Sequence, residues 1–535
     1  MRPGRGPANR RWDRGPRTDL RYAPTVYIRR LLLPLVFVGG MASLGVEFAA
    51  SRLLAPYFGD SLYVWGVLIG LILLYLSAGY VIGGRIADRW PNADLLFQIT
   101  AWAGAWIGFT PIVSYPILLA SLRGFATLSA GLVLSTLLSV VLLFAVPVIL
   151  LGCVSPFAIR LLLRDVETGG NTAGRVYALS TAGSIFGTFL PVFVLIPQFG
   201  TRATLLGFGV VLLVVALLGL LPRRKYVAVL LIAVLAAAFL LPHGVKPAET
   251  GSLLYEKESA YNYIQVVKQG SRTDLLLNEG QAVHSIYDPT TPLTGGPWDY
   301  MLLGPAFRQA QRTEARPTRV LVLGLAGGTA ARQYELAYGQ NVHITGVELD
   351  PEILAAGQRY FHLDQPQLRQ VAGDARSWLT LQPAQDRYDV IIMDAYRQPY
   401  IPFQMTTREF FDTVRQHLAP GGVAIVNAGR TQTDYRLVDA LASTMRATYD
   451  DVYLVDVPSF TNTVIYGTTE KTSLNDVRHN LEVAQEPLVQ QVAQSAEGEG
   501  NMRASPYRGQ VYTDDRAPVE RLIDSIIFQV ATGGG

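Results

Sequence analysis

The chain has 535 residues, which is too long for one ordinary hydrophobic core, so we expect two or more domains. Half of the residues are hydrophobic and only 16% are charged, a balance that is unusual for a soluble protein. The single cysteine, Cys153, excludes an internal disulfide framework and a cysteine-rich metal site. The net charge of +3 gives no indication of a nucleic-acid partner.

Residues 1–30 form a basic tail with nine arginines, and a long apolar run follows directly. An arginine-rich tail can bind nucleic acid, but before a hydrophobic segment it is more typical of a cytoplasmic flank. We adopt the second interpretation and expect no nucleic-acid partner.

Residues 31–242 hold most of the long uncharged runs and are predicted to form a transmembrane domain of seven or eight helices. A spanning helix needs roughly 20 apolar residues. The candidate spans are 31–54, 62–86, 95–120, 127–150, 176–197, 205–221 and 226–241. A further run at 151–163 contains Pro156 and is predicted to be a short helix or a re-entrant segment.

Two ionisable residues, Glu47 and Arg52, lie in the first predicted span. Ionisable groups in lipid are costly and often functional, and a mutually satisfied pair near a helix end is the alternative. Gly183 and Gly187 have the spacing that lets two helices approach closely, which favours a role in packing.

The composition becomes more polar after Pro242. Residues 250–297 are predicted to form a small β-domain, because they contain an alternating strand pattern and a hairpin turn. Residues 298–535 are predicted to form a nucleoside-binding α/β domain of the Rossmann-like, methyltransferase type. Within it, residues 485–504 are rich in Gln, Glu, Ala, Gly and Ser, and we expect a mobile loop there.

A glycine turn follows the first buried strand of the α/β domain. Residues 320–324 read as that strand, and Gly324, Gly327 and Gly328 shape the turn into the next helix. Glycine lets the backbone approach a ligand without interference from a side chain. The turn lacks the GxGxxG spacing, so by itself it is a weak indication of nucleotide binding.

Carboxylates follow three further strands, at Glu348, Asp374 and Asp394. The carboxyl ends of parallel strands meet at one edge of the sheet, where open α/β sheets bind ligands. Glu348 has the position that takes both hydroxyls of a ribose, and Asp374 suits an adenine amino group. A helix cap or a solvated strand end is the alternative for each. Asp394 ends a very apolar strand, so a desolvated carboxylate there can hold an amine and accept its proton.

With these motifs the chain resembles the spermidine synthase family of polyamine aminopropyltransferases, in its membrane-fused bacterial form. The most specific motif is Asp389-Val-Ile-Ile-Met-Asp394, which is similar to the family's catalytic strand. The other similar segments are 50–59, 180–188, 256–264, 277–280, 407–411, 418–422 and 513–520.

The resemblance implies transfer of an aminopropyl group from decarboxylated S-adenosylmethionine to an amine such as putrescine, with release of methylthioadenosine. Glu348 would bind the ribose and Asp374 the adenine, and Asp394 would orient and deprotonate the attacking amine. The glycine turn and Asn262, which stands where the family has a glutamine, would complete the donor site. The family requires no metal.

Several positions around the amine depart from the family's pattern. The acidic residue of its glycine turn is Gly327 here, and its second aspartate is Arg397. The family's Tyr-His-Glu-Met segment reads Trp298-Asp-Tyr-Met, so Asp299, Tyr300 and Arg397 would line the acceptor pocket. Arg397 adds like charge against a polycation, and it could instead pair with the catalytic aspartate or bind an anionic acceptor.

Two other functions fit the residues. A methyltransferase that uses intact S-adenosylmethionine is consistent with the missing acidic residue, because that donor carries its own carboxylate. Its acceptor would be associated with the membrane. A non-catalytic nucleoside sensor or transporter is the second alternative. The six histidines have no metal-ligand spacing, so we expect no metal, and a homodimer is left open.

The number of spans decides which side of the membrane the C-terminal half faces. With seven spans and a cytoplasmic N-terminus, the basic loops lie inside, as the positive-inside rule prefers, and the C-terminal half lies outside. Eight spans place it in the cytoplasm. We expect a multi-pass protein of the cell membrane with a cytoplasmic catalytic domain, because an adenosyl donor is cytosolic.

Overall fold

The computed structural model describes residues 26–58, 62–125, 131–163, 165–220, 226–237, 246, 248, 250–278, 282–308, 317–396, 400–498, 501–506 and 509–531. The basic tail before residue 26 and Arg397 lie outside these ranges. The first part is helical, with α1 Val26–Phe58, α2 Leu62–Arg89, α3 Ala93–Phe125, α4 Gly131–Gly152, α5 Val154–Leu162, α6 Gly169–Leu190, α7 Ile196–Leu220 and α8 Tyr226–Ala237.

Five stretches in the described part are long and apolar enough to cross a membrane, judged by length and composition: Tyr27–Phe58, Val64–Arg89, Ala93–Ser121, Leu134–Leu162 and Gly169–Leu220. The last has 52 residues, which at about 1.5 Å per residue is more than twice the thickness of a bilayer core. It is not one straight helix, because Gly200 has φ +82° and interrupts the helical backbone there.

The helices α1 and α6 approach each other closely at glycines. A Cβ atom on Gly183 or Gly187 would lie 2.0 Å from the carbonyl oxygen of Phe37 or Met41, respectively. Only glycine therefore permits this contact, as the spacing of the two residues predicts.

The β-domain is a four-stranded antiparallel sheet in the order β1-β2-β3-β4. Its strands are β1 Ser252–Glu258, β2 Tyr263–Gln269, β3 Arg272–Leu277 and β4 Val283–Tyr287. Ile264, Val266 and Leu275 are buried against Ile353 and Ala356 of the next domain, so the sheet and that domain share a core.

The α/β domain begins with a short helix, α9 Pro297–Met301. Its remaining elements are β5 Thr318–Leu323, α10 Thr329–Tyr338, β6 Val342–Glu348, α11 Pro351–Tyr360, β7 Leu368–Ala372, α12 Ala375–Thr380, β8 Tyr388–Met393, α13 Arg408–Gln416, β9 Leu418–Gly429, α14 Arg436–Arg446, β10 Asp451–Asp456, β11 Asn462–Thr468, α15 Leu474–Glu482, α16 Pro487–Ala496, β12 Met502–Ala504 and α17 Val519–Ala531.

These strands form one sheet in the order β12-β10-β11-β9-β8-β5-β6-β7. The five strands β5 to β9 are parallel, whereas β11 is antiparallel to both β9 and β10. The strand order reverses between β5 and β8, and ligands bind outside such a switch point in open α/β sheets. The predicted fold class, with an apolar helical part, a small β-domain and a Rossmann-like methyltransferase-type domain, is confirmed.

The prediction of a mobile loop at 485–504 is wrong. Residues Pro487–Ala496 form α16, and Met502–Ala504 pair with β10 at the edge of the sheet. The buried residues of α16, Val489, Val492, Ala493 and Ala496, recur at helical spacing. An apolar stripe of this width is enough to dock a helix although the segment as a whole is polar.

Candidate active site

The turn after β5 lies against the end of β8. Gly324 has φ +93°, and a Cβ atom there would lie 2.5 Å from the carbonyl oxygen of Asp394. Gly328 has φ +88° and begins α10. Ala326, between them, has φ +49°, which is uncommon for a residue with a side chain. The backbone of this turn is therefore constrained on the side that faces the strand ends.

Glu348 holds that turn in place from the end of β6. Its Oε2 accepts the N–H of Ala326 at 2.9 Å, and its Oε1 accepts the N–H of Asp350 at 3.1 Å. The side chain is 8% exposed. Burial raises its pKa to about 7, although the backbone N–H groups work against this shift. A ribose bound at this position would meet a carboxylate that two backbone N–H groups already orient.

Asn262 reaches the same strand end through Asp350. The Nδ2 of Asn262 donates to Oδ2 of Asp350 at 3.0 Å, and its Oδ1 accepts from Asn278 at 3.1 Å. Asp350 is fully buried and caps α11 by accepting the N–H of Glu352. The structure thus brings Asn262 close to Glu348, but its described hydrogen bonds are to the protein itself.

Asp374 lies one strand further along the same edge. The N–H of the preceding Gly373 donates to the carbonyl oxygen of Glu348 at 2.8 Å. The Oδ1 of Asp374 accepts the N–H of Ser377 at 2.8 Å, so Asp374 is the N-cap of α12. Asp374 is therefore a helix cap, which was the alternative interpretation of the sequence, and it still lies beside Glu348.

Asp394 follows β8 and is held by two side-chain donors. Trp298 Nε1 donates to its Oδ2 at 3.0 Å, and Asn427 Nδ2 donates to its Oδ1 at 2.9 Å. Burial raises the pKa of Asp394 to about 6. The two hydrogen bonds act in the opposite direction, but their effect is smaller than that of burial. A carboxylate in this state is fixed in orientation and has enough basicity to accept a proton near neutral pH.

Gly327 stands where the family has its acidic residue, and its backbone is already bound. Its N–H donates to Ser285 Oγ at 2.8 Å, and a Cβ atom would lie 2.9 Å from the Cβ of Ser285. The strand β4 therefore closes this side of the turn. A larger residue at Gly327 requires Ser285 to move.

Asp299 and Tyr300 are directed away from Asp394. Asp299 is 4% exposed and accepts from the backbone of Thr294 and Gly295 and from Gln333 Nε2, the last at 2.6 Å. Tyr300 is equally buried, and burial raises its pKa to about 12. In the described part of the chain no hydrogen bond joins either side chain to Asp394, whereas the neighbouring Trp298 makes one.

We expect Asp299→Ala to destabilise the fold rather than act selectively on a reaction. Four donors, including the hydroxyl of Thr294, lose a buried carboxylate, and such losses cost about 1–3 kcal/mol each. Thermal unfolding should therefore begin clearly below that of the unmodified protein. Asp386→Ala is the matched control, because the Asp386 side chain is 46% exposed. Unchanged thermal stability of Asp299→Ala would contradict a structural role.

The chain's last segment docks beside Asp374. Asp514 forms a two-point ion pair with Arg376, at 2.5 and 2.7 Å, and accepts from Thr407 Oγ1 at 2.7 Å. Arg376 lies two residues after Asp374. The C-terminal segment therefore fixes the helix that Asp374 caps, a contact that the sequence alone did not predict.

Residues 308–480 match the sequence model of the spermine/spermidine synthase domain. This segment is similar to the spermidine synthase family. The resemblance stated from the motifs is confirmed, and the matched spermidine synthase segment contains Glu348, Asp374 and Asp394.

Curated relatives extend this similarity beyond the spermidine synthase segment. A probable polyamine aminopropyl transferase of Bifidobacterium longum is 34% identical over 301 residues, covering 52% of this chain and 65% of the relative. The chain thus spans just under two thirds of that protein. A polyamine aminopropyltransferase of Corynebacterium efficiens is 25% identical over 464 residues, covering 81% of this chain and 84% of the relative.

Among solved structures, a probable spermidine synthase of Corynebacterium glutamicum is similar, with 22% identity and a TM-score of 0.36. It matches 46% of this chain and 95% of its own length. A spermidine synthase of Thermotoga maritima has 16% identity and a TM-score of 0.36, over 46% of this chain and 83% of its own.

Sequence reasoning identified the three carboxylates but not the residues that orient them. It missed Asp350, Ser285 and Asn427, and it treated Trp298 only as a departure from the family's pattern. A polar residue at the end of the strand next to β8 was a usable signal for Asn427, because neighbouring parallel strands end at one edge.

Proposed function

We propose that the protein is an aminopropyltransferase that uses decarboxylated S-adenosylmethionine. The observation that carries this proposal is the state of Asp394, a half-buried carboxylate oriented by Trp298 and Asn427 beside the glycine turn. The names of the curated relatives support the same reaction class.

In this proposal Glu348 accepts the ribose hydroxyls and Asp374 accepts from the adenine. Ala326, which Glu348 holds in a positive-φ conformation, sets the distance between the turn and the nucleoside. Glu348 must be ionised to accept two hydroxyl donors. Because burial raises its pKa to about 7, binding of those donors also stabilises its ionised form.

Asp394 then accepts a proton from the attacking amine. The amine nitrogen forms a bond to the propyl carbon attached to sulfur, and the carbon–sulfur bond breaks with its electron pair moving to sulfur. The leaving group is neutral methylthioadenosine, so no oxidant or reductant is involved. The fixed orientation of Asp394 supports this role, because a general base must lie within hydrogen-bonding reach of the proton.

The acceptor is proposed to be a small amine such as putrescine. The carboxylate of Asp394, which the Nε1–H of Trp298 orients, supplies a negative charge that attracts an ammonium group. Glycine at position 327 removes one carboxylate that the family uses to hold a cation. We therefore expect weaker binding of the aminopropyl amine than in family members with that acid.

The same glycine favours a second candidate, a methyltransferase with a membrane-associated acceptor. Calorimetry on the detergent-purified protein separates the two, with decarboxylated and intact S-adenosylmethionine as ligands. Tighter binding of the decarboxylated donor supports aminopropyl transfer. Tighter binding of the intact donor supports methyl transfer, and binding without turnover supports a sensor. A homodimer stays a prediction.

We further propose that the helical part lies in the cell membrane and that the catalytic domain faces the cytoplasm, where the donor is. The charge rule argues for the opposite face. The bundle ends remote from the β-domain carry Arg29, Arg30, Arg85, Arg89 and Arg160, and basic ends are usually cytoplasmic.

Cysteine labelling tests the proposed orientation. Leu381 is 81% exposed on the catalytic domain, and Cys153 is buried, so Leu381→Cys with Cys153→Ala gives one accessible thiol in the described region. In intact cells a membrane-impermeant maleimide should not label it, and permeabilisation should restore labelling. Labelling in intact cells would place the catalytic domain outside and remove its access to a cytosolic donor.

A further inference from the structure

The loop between β1 and β2 is held from both sides. We call residues 258–262 the bridging loop. On the helical side, the carboxylate of Glu258 accepts the N–H and the hydroxyl of Thr201, both at 2.7 Å. Arg52 donates from Nη1 to the carbonyl oxygen of Tyr261 at 3.3 Å and from Nη2 to that of Ser259. Two different helices of the bundle therefore contact one loop.

The helical side of this contact is shaped for it. Thr201 is 1% exposed and follows Gly200, whose φ of +82° breaks the helix. A Cβ atom on Gly200 would lie 2.9 Å from Oε2 of Glu258. Arg52 lies near the end of α1, and ionisable groups in such helices are kept where they have a function. Of the two ionisable residues in the first predicted span, Arg52 is the one that makes these loop contacts.

On its other side, the bridging loop contacts the strand end that carries Glu348. Ser259 Oγ donates to Oδ2 of Asp350 at 2.5 Å, and Asn262 Nδ2 donates to the same oxygen at 3.0 Å. The backbone N–H of Asp350 in turn donates to Oε1 of Glu348 at 3.1 Å. Arg52 is thus connected to Glu348 by consecutive contacts through Ser259 and Asp350.

We propose that Arg52 of the first helix is a positioning residue for the nucleoside site, acting through the bridging loop on Asp350 and Glu348. This inference rests on the proposed function, because it takes Glu348 as the ribose carboxylate. The helical bundle then contributes to donor binding directly, rather than serving only as an anchor.

The physical basis is the number of fixed contacts on a short loop. Arg52 holds two carbonyl groups of the bridging loop at once. The hydrogen bonds from Ser259 to Asp350 and from Asp350 to Glu348 are buried, where they are stronger than in water. When Arg52 is absent, the side chains of Ser259 and Asn262 gain conformational freedom. Asp350 then no longer orients Glu348. Asp394 follows a different strand and has its own donors, so the chemical step is spared.

The test uses the full-length protein in detergent and methylthioadenosine, the proposed nucleoside product, as the probe. Calorimetry should show that Arg52→Ala weakens methylthioadenosine binding by about tenfold, the effect of losing one net charged hydrogen bond. Arg52→Lys should recover part of the affinity, because it retains one donor. The KM for the decarboxylated donor should rise similarly, while kcat stays within about twofold. Arg160→Gln, which alters an exposed ion pair at the remote end, should change neither.

A double-mutant cycle with Ser259→Ala separates positioning from general damage. If Arg52 acts through Ser259, the loss in Arg52→Ala with Ser259→Ala should be smaller than the product of the two single losses. The inference would be overturned if the losses of affinity in the two single variants multiplied in the double variant, as independent effects do. Unchanged methylthioadenosine binding by Arg52→Ala would overturn it as well. If the unmodified protein does not bind methylthioadenosine, the proposed function and this inference fall together. Binding by the unmodified protein with an unaffected Arg52→Ala overturns the inference alone.

Discussion

Replacing Asp394 with Asn is expected to abolish aminopropyl transfer while leaving nucleoside binding nearly intact. The amide has nearly the same shape but cannot accept the amine proton, and loss of a general base costs about 10²–10⁴-fold in rate. Glu348 and the glycine turn are on other strands, so methylthioadenosine affinity should change by no more than about threefold. The rate is measured as release of methylthioadenosine, and the affinity by calorimetry.

Asp386→Asn is the matched control for this substitution. It changes an aspartate eight positions earlier whose side chain is 46% exposed, and it should leave the rate unchanged. Survival of product formation in Asp394→Asn would show that the proton leaves the amine by another route. A combined loss of binding and turnover would instead indicate that Asp394 supports the local structure.

The pH profile gives a related expectation. Burial raises the pKa of Asp394 to about 6, and only the ionised form can accept a proton. At saturating donor, kcat should therefore rise with pH through about 6 and level off above it. The profile is measured between pH 5 and 8, about the range over which the carboxylate titrates. A rate that is independent of pH below 6 would contradict Asp394 as the base.

The second large effect is expected for Glu348→Gln. The amide has one oxygen, so either the N–H of Ala326 or that of Asp350 loses its acceptor. Hydrogen bonds to a charged group contribute about 1.5–3 kcal/mol, which corresponds to a 10- to 100-fold loss of nucleoside affinity. If the N–H of Ala326 is the one left without an acceptor, the φ +49° conformation of Ala326 also loses a stabilising contact. Calorimetry with methylthioadenosine measures this loss.

Glu335→Gln serves as the control for Glu348→Gln, since Glu335 lies within the helix α10 and not at the end of a strand. Nucleoside affinity should be unchanged in this variant. Equal affinities of Glu348→Gln and the unmodified protein would contradict the assignment of Glu348 to the ribose.

The parallel strands of the α/β domain could be anticipated from sequence, and so could the carboxylates that follow three of them. Parallel strands buried on both faces tend to be apolar runs, and a carboxylate stands at or just after the ends of β6, β7 and β8. The start of α11 at Pro351 also has a signal in the sequence, because Asp350 is a favourable N-cap residue and proline is favoured at the first helical position.

The orientation of individual side chains could not be predicted in the same way. Asp299, Tyr300 and Trp298 are consecutive, and sequence assigned the first two to the acceptor pocket. In the structure only Trp298 donates to Asp394, since the turn of α9 points Asp299 toward Gln333. Which face of a short helix meets the site depends on its tertiary packing and not on its composition.

Contacts between distant segments were also beyond sequence reasoning. Arg376 pairs with Asp514, 138 positions later, and Arg52 meets Ser259 across 207 positions. Charges of this kind have many potential partners in a chain. In contrast, α16 was predictable from its apolar spacing, but the polar composition of 485–504 was given too much weight.

Product analysis distinguishes aminopropyl transfer from methyl transfer in one experiment. The purified full-length protein is incubated with putrescine and either decarboxylated or intact S-adenosylmethionine, and the products are identified by mass spectrometry. We expect methylthioadenosine and an aminopropylated amine from the decarboxylated donor, with neither formed by Asp394→Asn. Formation of S-adenosylhomocysteine from the intact donor, with no aminopropylated product from the other, would contradict this expectation.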